Sequence, residues 1–81
     1  MKKVTIYTTP TCGYCKLAKE FFKEHNVTYN EVNVASDMNA QQEMIKKSGQ
    51  MGVPVIEIDG AIVVGYDPDK LSGLLGLDDN S

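Results

Sequence analysis

The stretch Val4-Thr5-Ile6-Tyr7-Thr8-Thr9-Pro10-Thr11-Cys12-Gly13-Tyr14-Cys15-Lys16-Leu17-Ala18-Lys19-Glu20-Phe21-Phe22 decides the fold. Its first five residues alternate β-branched and aromatic types and read as a short strand, Val4 to Thr8, which Thr9-Pro10-Thr11 ends. From Gly13 to His25 the apolar residues Leu17, Ala18, Phe21 and Phe22 recur at helical spacing, with Lys16, Lys19, Glu20, Lys23 and Glu24 on the other side. A strand thus delivers the chain to two cysteines at the mouth of an amphipathic helix.

Beyond the stop at Asn26, Tyr29, Val32 and Val34 suggest a second strand over residues 27–34. Ser36 or Asp37 can cap a second helix that runs to about Ser48, with Met38, Met44 and Ile45 as its apolar stripe and Gly49 at its end. Val55 to Ile58 and Ala61 to Val64 flank Asp59-Gly60, a pair suited to the positive φ angles of a type I′ hairpin turn. Asp67 or Pro68 opens a third helix, with Leu71, Leu74 and Leu75 inward and Gly76 near its end, and the tail Leu77 to Ser81 is expected to fray. The order βαβαββα predicts a right-handed crossover joining two parallel strands, and an antiparallel hairpin on the other side. The expected architecture is α/β: a four-stranded mixed sheet packed by three helices.

The chain has 81 residues, of which 42% are hydrophobic, with no tryptophan. That is one domain, residues 1–81, too small for a deep substrate cavity, because folding at this size buries only about 60–65% of the surface the unfolded chain exposes. Eight lysines and eleven carboxylates give a net charge of −3, and arginine is absent. An acidic chain without the residue that grips phosphates with two parallel hydrogen bonds is not expected to bind nucleic acid. No apolar run approaches the roughly 20 residues of a membrane span, and the segment after Lys2 and Lys3 is too short and polar for a signal peptide. A cytoplasmic monomer is expected.

Both cysteines fall within Cys12-Gly13-Tyr14-Cys15. Closing a loop of four residues contributes only about 2 kcal/mol in the chain-entropy picture, so the pair is poorly placed for bracing. A lasting disulfide is also the exception in a reducing cytoplasm. A Cys-x-x-Cys pair can be half of a zinc site, but there is no second pair and His25, the single histidine, lies near the far end of the helix. No metal site within one chain is expected. Two unrelated core thiols are a further alternative, and the strand, turn, cysteine, helix context favours a redox pair over it. Cys12, just before the helix, meets unpaired N–H groups and the helix dipole, which lower a thiol pKa; Lys16 and Lys19 add a smaller, screened effect. Cys15, three residues on, shares the face of the first turn and is expected to be the more interior, protonated thiol. Thiol-disulfide exchange is the chemistry that follows, with Cys12 attacking and Cys15 resolving. Gly13, where a proline could have fixed the first helical residue, is expected to loosen this turn and shift the redox potential.

Cys12-Gly13-Tyr14-Cys15 after Tyr7-Thr8-Thr9-Pro10-Thr11, followed by Gly52-Val53-Pro54 and Gly65-Tyr66-Asp67, resembles the glutaredoxin family of the thioredoxin fold. The resemblance runs from Val4 to about Leu75 and is strongest to the small bacterial glutaredoxin-like redoxins. It implies a cis bond at Val53-Pro54, where the bare expectation is trans, since only about 5–6% of bonds before proline are cis. It implies that Val53 offers its backbone to a peptide or glutathione, and that Gly65, Tyr66 and Asp67 receive the γ-glutamyl end of glutathione. Read without it, Asp67 is a helix cap and Tyr14 an exposed helix residue; with it, Tyr14 walls the ledge beside Cys12. Tyr7 and Tyr29 read as sheet packing, Met38 and Met44 as core, Met51 as a contact to a partner, and His25 as a cation suited to a helix C-terminus.

The implied activity is that of a dithiol oxidoreductase reducing protein disulfides or glutathione mixed disulfides, with glutathione as co-substrate. Two departures bear on glutathione. Thr9 stands three residues before the first cysteine, where members that use glutathione well often carry lysine, and Gln50 and Met51 stand where a basic residue is frequent. Each removes a charged partner for the glycine carboxylate, a charge-assisted bond worth about 1.5–3 kcal/mol. Weak glutathione binding is the expectation, and a thioredoxin-reductase-like flavoprotein is the alternative electron source. A further alternative, permitted by Gly13, is a carrier of a two-iron cluster held between two chains by the first cysteine of each and two glutathiones.

Overall fold

The computed structural model describes residues 3–77. Strand β1 (Val4–Thr8) lies between β2 (Asn30–Asn33), to which it is parallel, and β3 (Val55–Ile58), to which it is antiparallel; β4 (Ala61–Val64) pairs with β3. The sheet order is β2-β1-β3-β4, the mixed sheet the sequence predicts. Asp59 and Gly60 between β3 and β4 have φ of 49° and 92°, the left-handed pair a type I′ turn requires. Asp59 also fastens the hairpin to the start of β1: its carboxylate accepts from the Lys3 amide at 2.8 Å, and its own amide donates to the Lys3 carbonyl at 3.0 Å.

Alternation along the strands divides the core into two layers. Val4 and Ile6 of β1 with Ile56 and Ile58 of β3 join Ala18, Phe21, Phe22, Val63 and Leu71 on one face, covered by α1 (Gly13–Glu24) and α3 (Pro68–Leu75). Tyr7 and Val55 point the other way, where Val34 and the Ala40 and Met44 side chains of α2 (Met38–Ser48) cover them. Lys47 closes the rim of that second layer, donating to Glu57 at 2.8 Å and to the Tyr7 hydroxyl at 3.4 Å. The Glu57 carboxylate is the main reason its pKa is pushed up to about 12.

Four expectations are corrected. Leu17 is 44% exposed, and Cys15 takes its place in the buried stripe of α1, because Cys15, Ala18 and Phe22 stack on one helix face while Leu17 is turned about 100° from Ala18. Met38 is 74% exposed: as the first residue of α2 it precedes the turn that meets the sheet, and Ala40 supplies that contact. The second strand is shorter than residues 27–34. The Val27 amide donates to the Phe22 carbonyl at 2.8 Å and Asn26 turns left-handed at φ 57°, so these residues finish the helix, and Tyr29 packs on Phe22 before the strand begins. Leu77 does not fray: its amide reaches back to the Ser72 carbonyl at 2.9 Å past left-handed Gly76, and its side chain joins the core, as a Schellman end requires. The rest of the predicted tail, residues 78–81, lies outside the described residues.

The caps follow the sequence more closely. Asp37 caps α2 by accepting from the Ala40 amide at 3.1 Å, Gly49 ends that helix at φ 76°, and Asp67 caps α3 ahead of Pro68. Among the described residues no helix is long and apolar enough to cross a membrane.

Candidate active site

Strand register brings the sequence motifs to one end of the sheet. Tyr7 lies opposite Val55, Val55 opposite Val64, and Thr8 beside Asn33. The turn carrying Cys12 therefore leaves β1 at the edge where Val53 and Pro54 enter β3 and where Gly65 leaves β4. The Gly65 amide donates to the Pro54 carbonyl at 2.8 Å, which ties the second and third motifs together.

Cys12 is the N-cap of α1 and its sulfur does the capping, accepting from the Cys15 amide at 3.0 Å. The two sulfurs are bonded, with Cα atoms 5.3 Å apart, inside the usual disulfide range. Cys12 is half-buried and Cys15 only 1% exposed, the asymmetry the spacing predicts. A Cβ at Gly13 would meet nothing within 4 Å, so packing does not demand glycine there.

The disulfide has two unlike flanks. On one, Gly13, Tyr14 and Leu17 line an apolar shelf, and Tyr14 is 64% exposed. On the other is an open cleft of about 440 Å³ lined by Thr8, Thr9, Pro10, Cys12, Lys16, Lys19, Glu31 and Asn33. There Glu31 Oε2 accepts from Lys19 Nζ at 2.8 Å and from the buried Thr8 hydroxyl at 3.1 Å. Lys19 above all holds the Glu31 carboxyl below the usual range, against the opposing effect of burial and with a smaller contribution from Thr8. The pair is substantially exposed to solvent, so Glu31→Gln is expected to destabilise by less than about 1 kcal/mol near neutrality. Because the folded pKa is the lower one, this contribution is complete above the unfolded value of 4.5 and fades as pH falls below it. Urea melts of the two proteins at pH 7 and pH 3 check this; a gap that widens in acid would refute it. Sequence reading missed this cleft, because Thr8 and Glu31 are far apart in the chain and only the parallel β1–β2 register brings them together.

The remaining predicted site residues are placed as follows. Val53-Pro54 is cis, and Val53 is half-buried while Pro54 is buried. Gly65 adopts φ 84° and its amide is already engaged by Pro54. The Tyr66 ring turns inward, 6.3 Å from Phe21 and edge-on to it, anchoring the loop to α1. Asp67 is exposed and one carboxylate oxygen accepts from the Lys70 amide at 3.2 Å, the helix-cap role. Gln50 folds onto its own turn, donating to the Gly52 carbonyl at 2.9 Å and accepting from the Gly52 amide at 2.8 Å. Met51 beside it is 66% exposed.

Comparison with known proteins bears on this geometry directly. The glutaredoxin family model matches residues 4–63, which hold the cysteines and the Val53-Pro54 motif. The chain belongs to the glutaredoxin family. Its relatives there include an uncharacterized glutaredoxin-like 8.6 kDa protein of a rubredoxin operon in Clostridium pasteurianum, 47% identical over 89% of this chain and 96% of that one. Glutaredoxin 3 of Escherichia coli K12 is 39% identical over 83% of this chain and 81% of its own. The glutaredoxin-like protein NrdH of Lactococcus lactis subsp. cremoris is 34% identical over 88% and 97%. Among solved structures the mutant thioredoxin-like protein BC3987 superposes with a TM-score of 0.88 at 36% identity, covering 96% of this glutaredoxin chain and all of the other. The sheet and three helices described above are thus the thioredoxin-like fold, and the chain is a glutaredoxin-like redox protein with a Cys-x-x-Cys motif.

Proposed function

We propose that this protein is a dithiol thiol-disulfide oxidoreductase that reduces protein disulfides or glutathione mixed disulfides, with Cys12 as nucleophile and Cys15 as resolving thiol. The observation that carries the reading is the half-buried Cys12 sulfur at the start of α1, bonded to a buried Cys15 whose amide points at it from 3.0 Å. Once the pair is reduced, that N–H and the open end of the helix favour charge on Cys12, while burial favours the neutral Cys15 thiol.

The Cys12 thiolate attacks one sulfur of the substrate disulfide; a Cys12–substrate bond forms and the other substrate sulfur leaves as a thiolate and takes a proton. Cys15 then loses its proton, attacks the Cys12 sulfur and displaces the second substrate thiolate. Two electrons have passed to the substrate and the Cys12–Cys15 disulfide remains. Val53, Tyr14, Tyr66 and Asp67 would flank the bound disulfide; with the Gly65 amide engaged by Pro54, the Tyr66 and Asp67 amides and the second Asp67 oxygen are the groups left for a γ-glutamyl end.

Two electron sources restore the dithiol: two glutathiones, or the dithiol of a thioredoxin-reductase-like flavoprotein. A specific observation favours the second. Gln50, which stands where a basic residue is frequent in the family, is engaged by Gly52 at both ends of its amide, and Thr9 supplies no charge. The same losses weigh against a glutathione-ligated cluster carrier. Paired assays decide the donor. With insulin as substrate, NADPH and thioredoxin reductase are expected to support turnover at least about tenfold faster than glutathione with glutathione reductase, the ratio that loss of about 1.4 kcal/mol of binding produces. Equal rates would refute the flavoprotein route, and no turnover with either would refute the oxidoreductase reading.

A further inference from the structure

Lys16, Lys19 and Lys23 follow one another at i, i+3 and i+7 along one side of α1. Glu31 of β2 faces this stripe, bonded to Lys19 and acted on through space by Lys23. Lys19 is thereby neutralised, whereas Lys16 forms no ion pair among the described residues, although it lines the cleft that Cys12 also lines. The other cleft residues, Thr8, Thr9, Pro10 and Asn33, carry no charge. Two lysines thus oppose one glutamate beside the disulfide, in a chain whose net charge is −3. The shelf across the disulfide, formed by Gly13, Tyr14 and Leu17, has no charge at all.

A polypeptide laid over Cys12 therefore meets a cationic side and an apolar side. We propose that the Lys16 cleft receives an acidic side chain flanking the attacked cysteine of the substrate protein, so that disulfides with a neighbouring Asp or Glu are the preferred substrates. This rests on Cys12 being the nucleophile. Lys16 acts as a specificity-determining cation, and Glu31 sets the strength of the site by holding Lys19 out of play.

The test uses the pre-reduced full chain in single-turnover reactions with three peptides that differ only in the residues beside the cysteine (acidic, amide or basic), each disulfide-bonded to the same reporter thiol. An acidic neighbour also alters the substrate's own sulfur, and a change at Lys16 alters the Cys12 thiolate. The decisive quantity is therefore the acidic-to-amide rate ratio compared between proteins, in which both effects cancel. Lys16→Glu is expected to lower that ratio roughly two- to fivefold, the range for exposed charge pairs. Glu31→Gln keeps an acceptor for Lys19 and Thr8, frees the Lys19 charge, and is expected to raise the ratio. Both changes should collapse as ionic strength goes from about 0.01 M to about 1 M, which shortens the screening length roughly tenfold. Identical ratios in all three proteins, or a fall with Glu31→Gln, would overturn the proposal while normal reduction of the amide peptide keeps the oxidoreductase reading. Failure of the parent chain on all three peptides would overturn both.

Discussion

Cys12→Ser is expected to abolish disulfide reduction, lowering the rate by at least about three orders of magnitude toward the reaction without protein, because a hydroxyl at neutral pH offers no anion to attack sulfur. The fold should survive. Cys12 is the N-cap of α1, and serine is among the best residues at that position, so the Cys15 amide keeps an acceptor when sulfur is replaced by oxygen. Loss of activity with an unchanged circular dichroism spectrum would therefore locate the chemistry at the sulfur rather than in the helix it caps. Cys15→Ser separates the two thiols. It leaves the attack intact but removes resolution, so a Cys12-linked mixed disulfide with a protein substrate should accumulate and be visible by intact-mass spectrometry. A Cys12→Ser protein that keeps more than about a tenth of the parent rate would refute the assignment of Cys12, since a nucleophile cannot be dispensable at that level.

The parts legible in the sequence were those governed by local chemistry. Strand β1, the three helices and the hairpin turn each carry their signal within a few residues: alternation at Val4–Thr8, the left-handed pair Asp59 and Gly60, the caps Asp37 and Asp67. The cysteine pair was legible for the same reason, since a spacing of three at a helix start fixes both the bond and the difference in burial. What escaped was set by tertiary rotation and register. Leu17 and Met38 satisfy a helical apolar pattern, but Leu17 is turned away from the buried face of α1 and Met38 precedes the turn of α2 that meets the sheet, so both stay in solvent. Cys15 was read for its reactivity, and it also fills the position in the core that Leu17 vacates. The Thr8, Lys19 and Glu31 cluster depends on parallel pairing across a crossover, which no local pattern encodes.

Phe22→Ala is expected to destabilise the folded chain by about 3–5 kcal/mol, because a fully buried ring is removed and the remaining cavity cannot close completely. Phe22 is 0% exposed, packs edge-on against Phe21 at 6.0 Å between ring centroids and at a tilt against Tyr29 at 5.3 Å, and shares a cluster with Val4, Ile6, Ile56 and Ile58. Total stability for a chain of this length is roughly 4–12 kcal/mol, so this single change removes a large share of it. The melting temperature should fall by about 12–40 °C. The disulfide cannot compensate, because it links two residues of one turn and holds α1 to nothing else. Apolar packing of Ala18, Phe21 and Phe22 against the sheet is what keeps Cys12 beside the Pro54 and Gly65 segments, so activity should disappear with the fold on warming and return, per folded molecule, on cooling. Leu17→Ala is the control: it deletes a residue of the same helix with a similar apolar volume, but from a 44% exposed position, and should change stability by no more than about 0.5 kcal/mol. Equal losses in the two variants, measured by thermal and urea unfolding, would mean that Leu17 rather than Cys15 completes the buried face of α1.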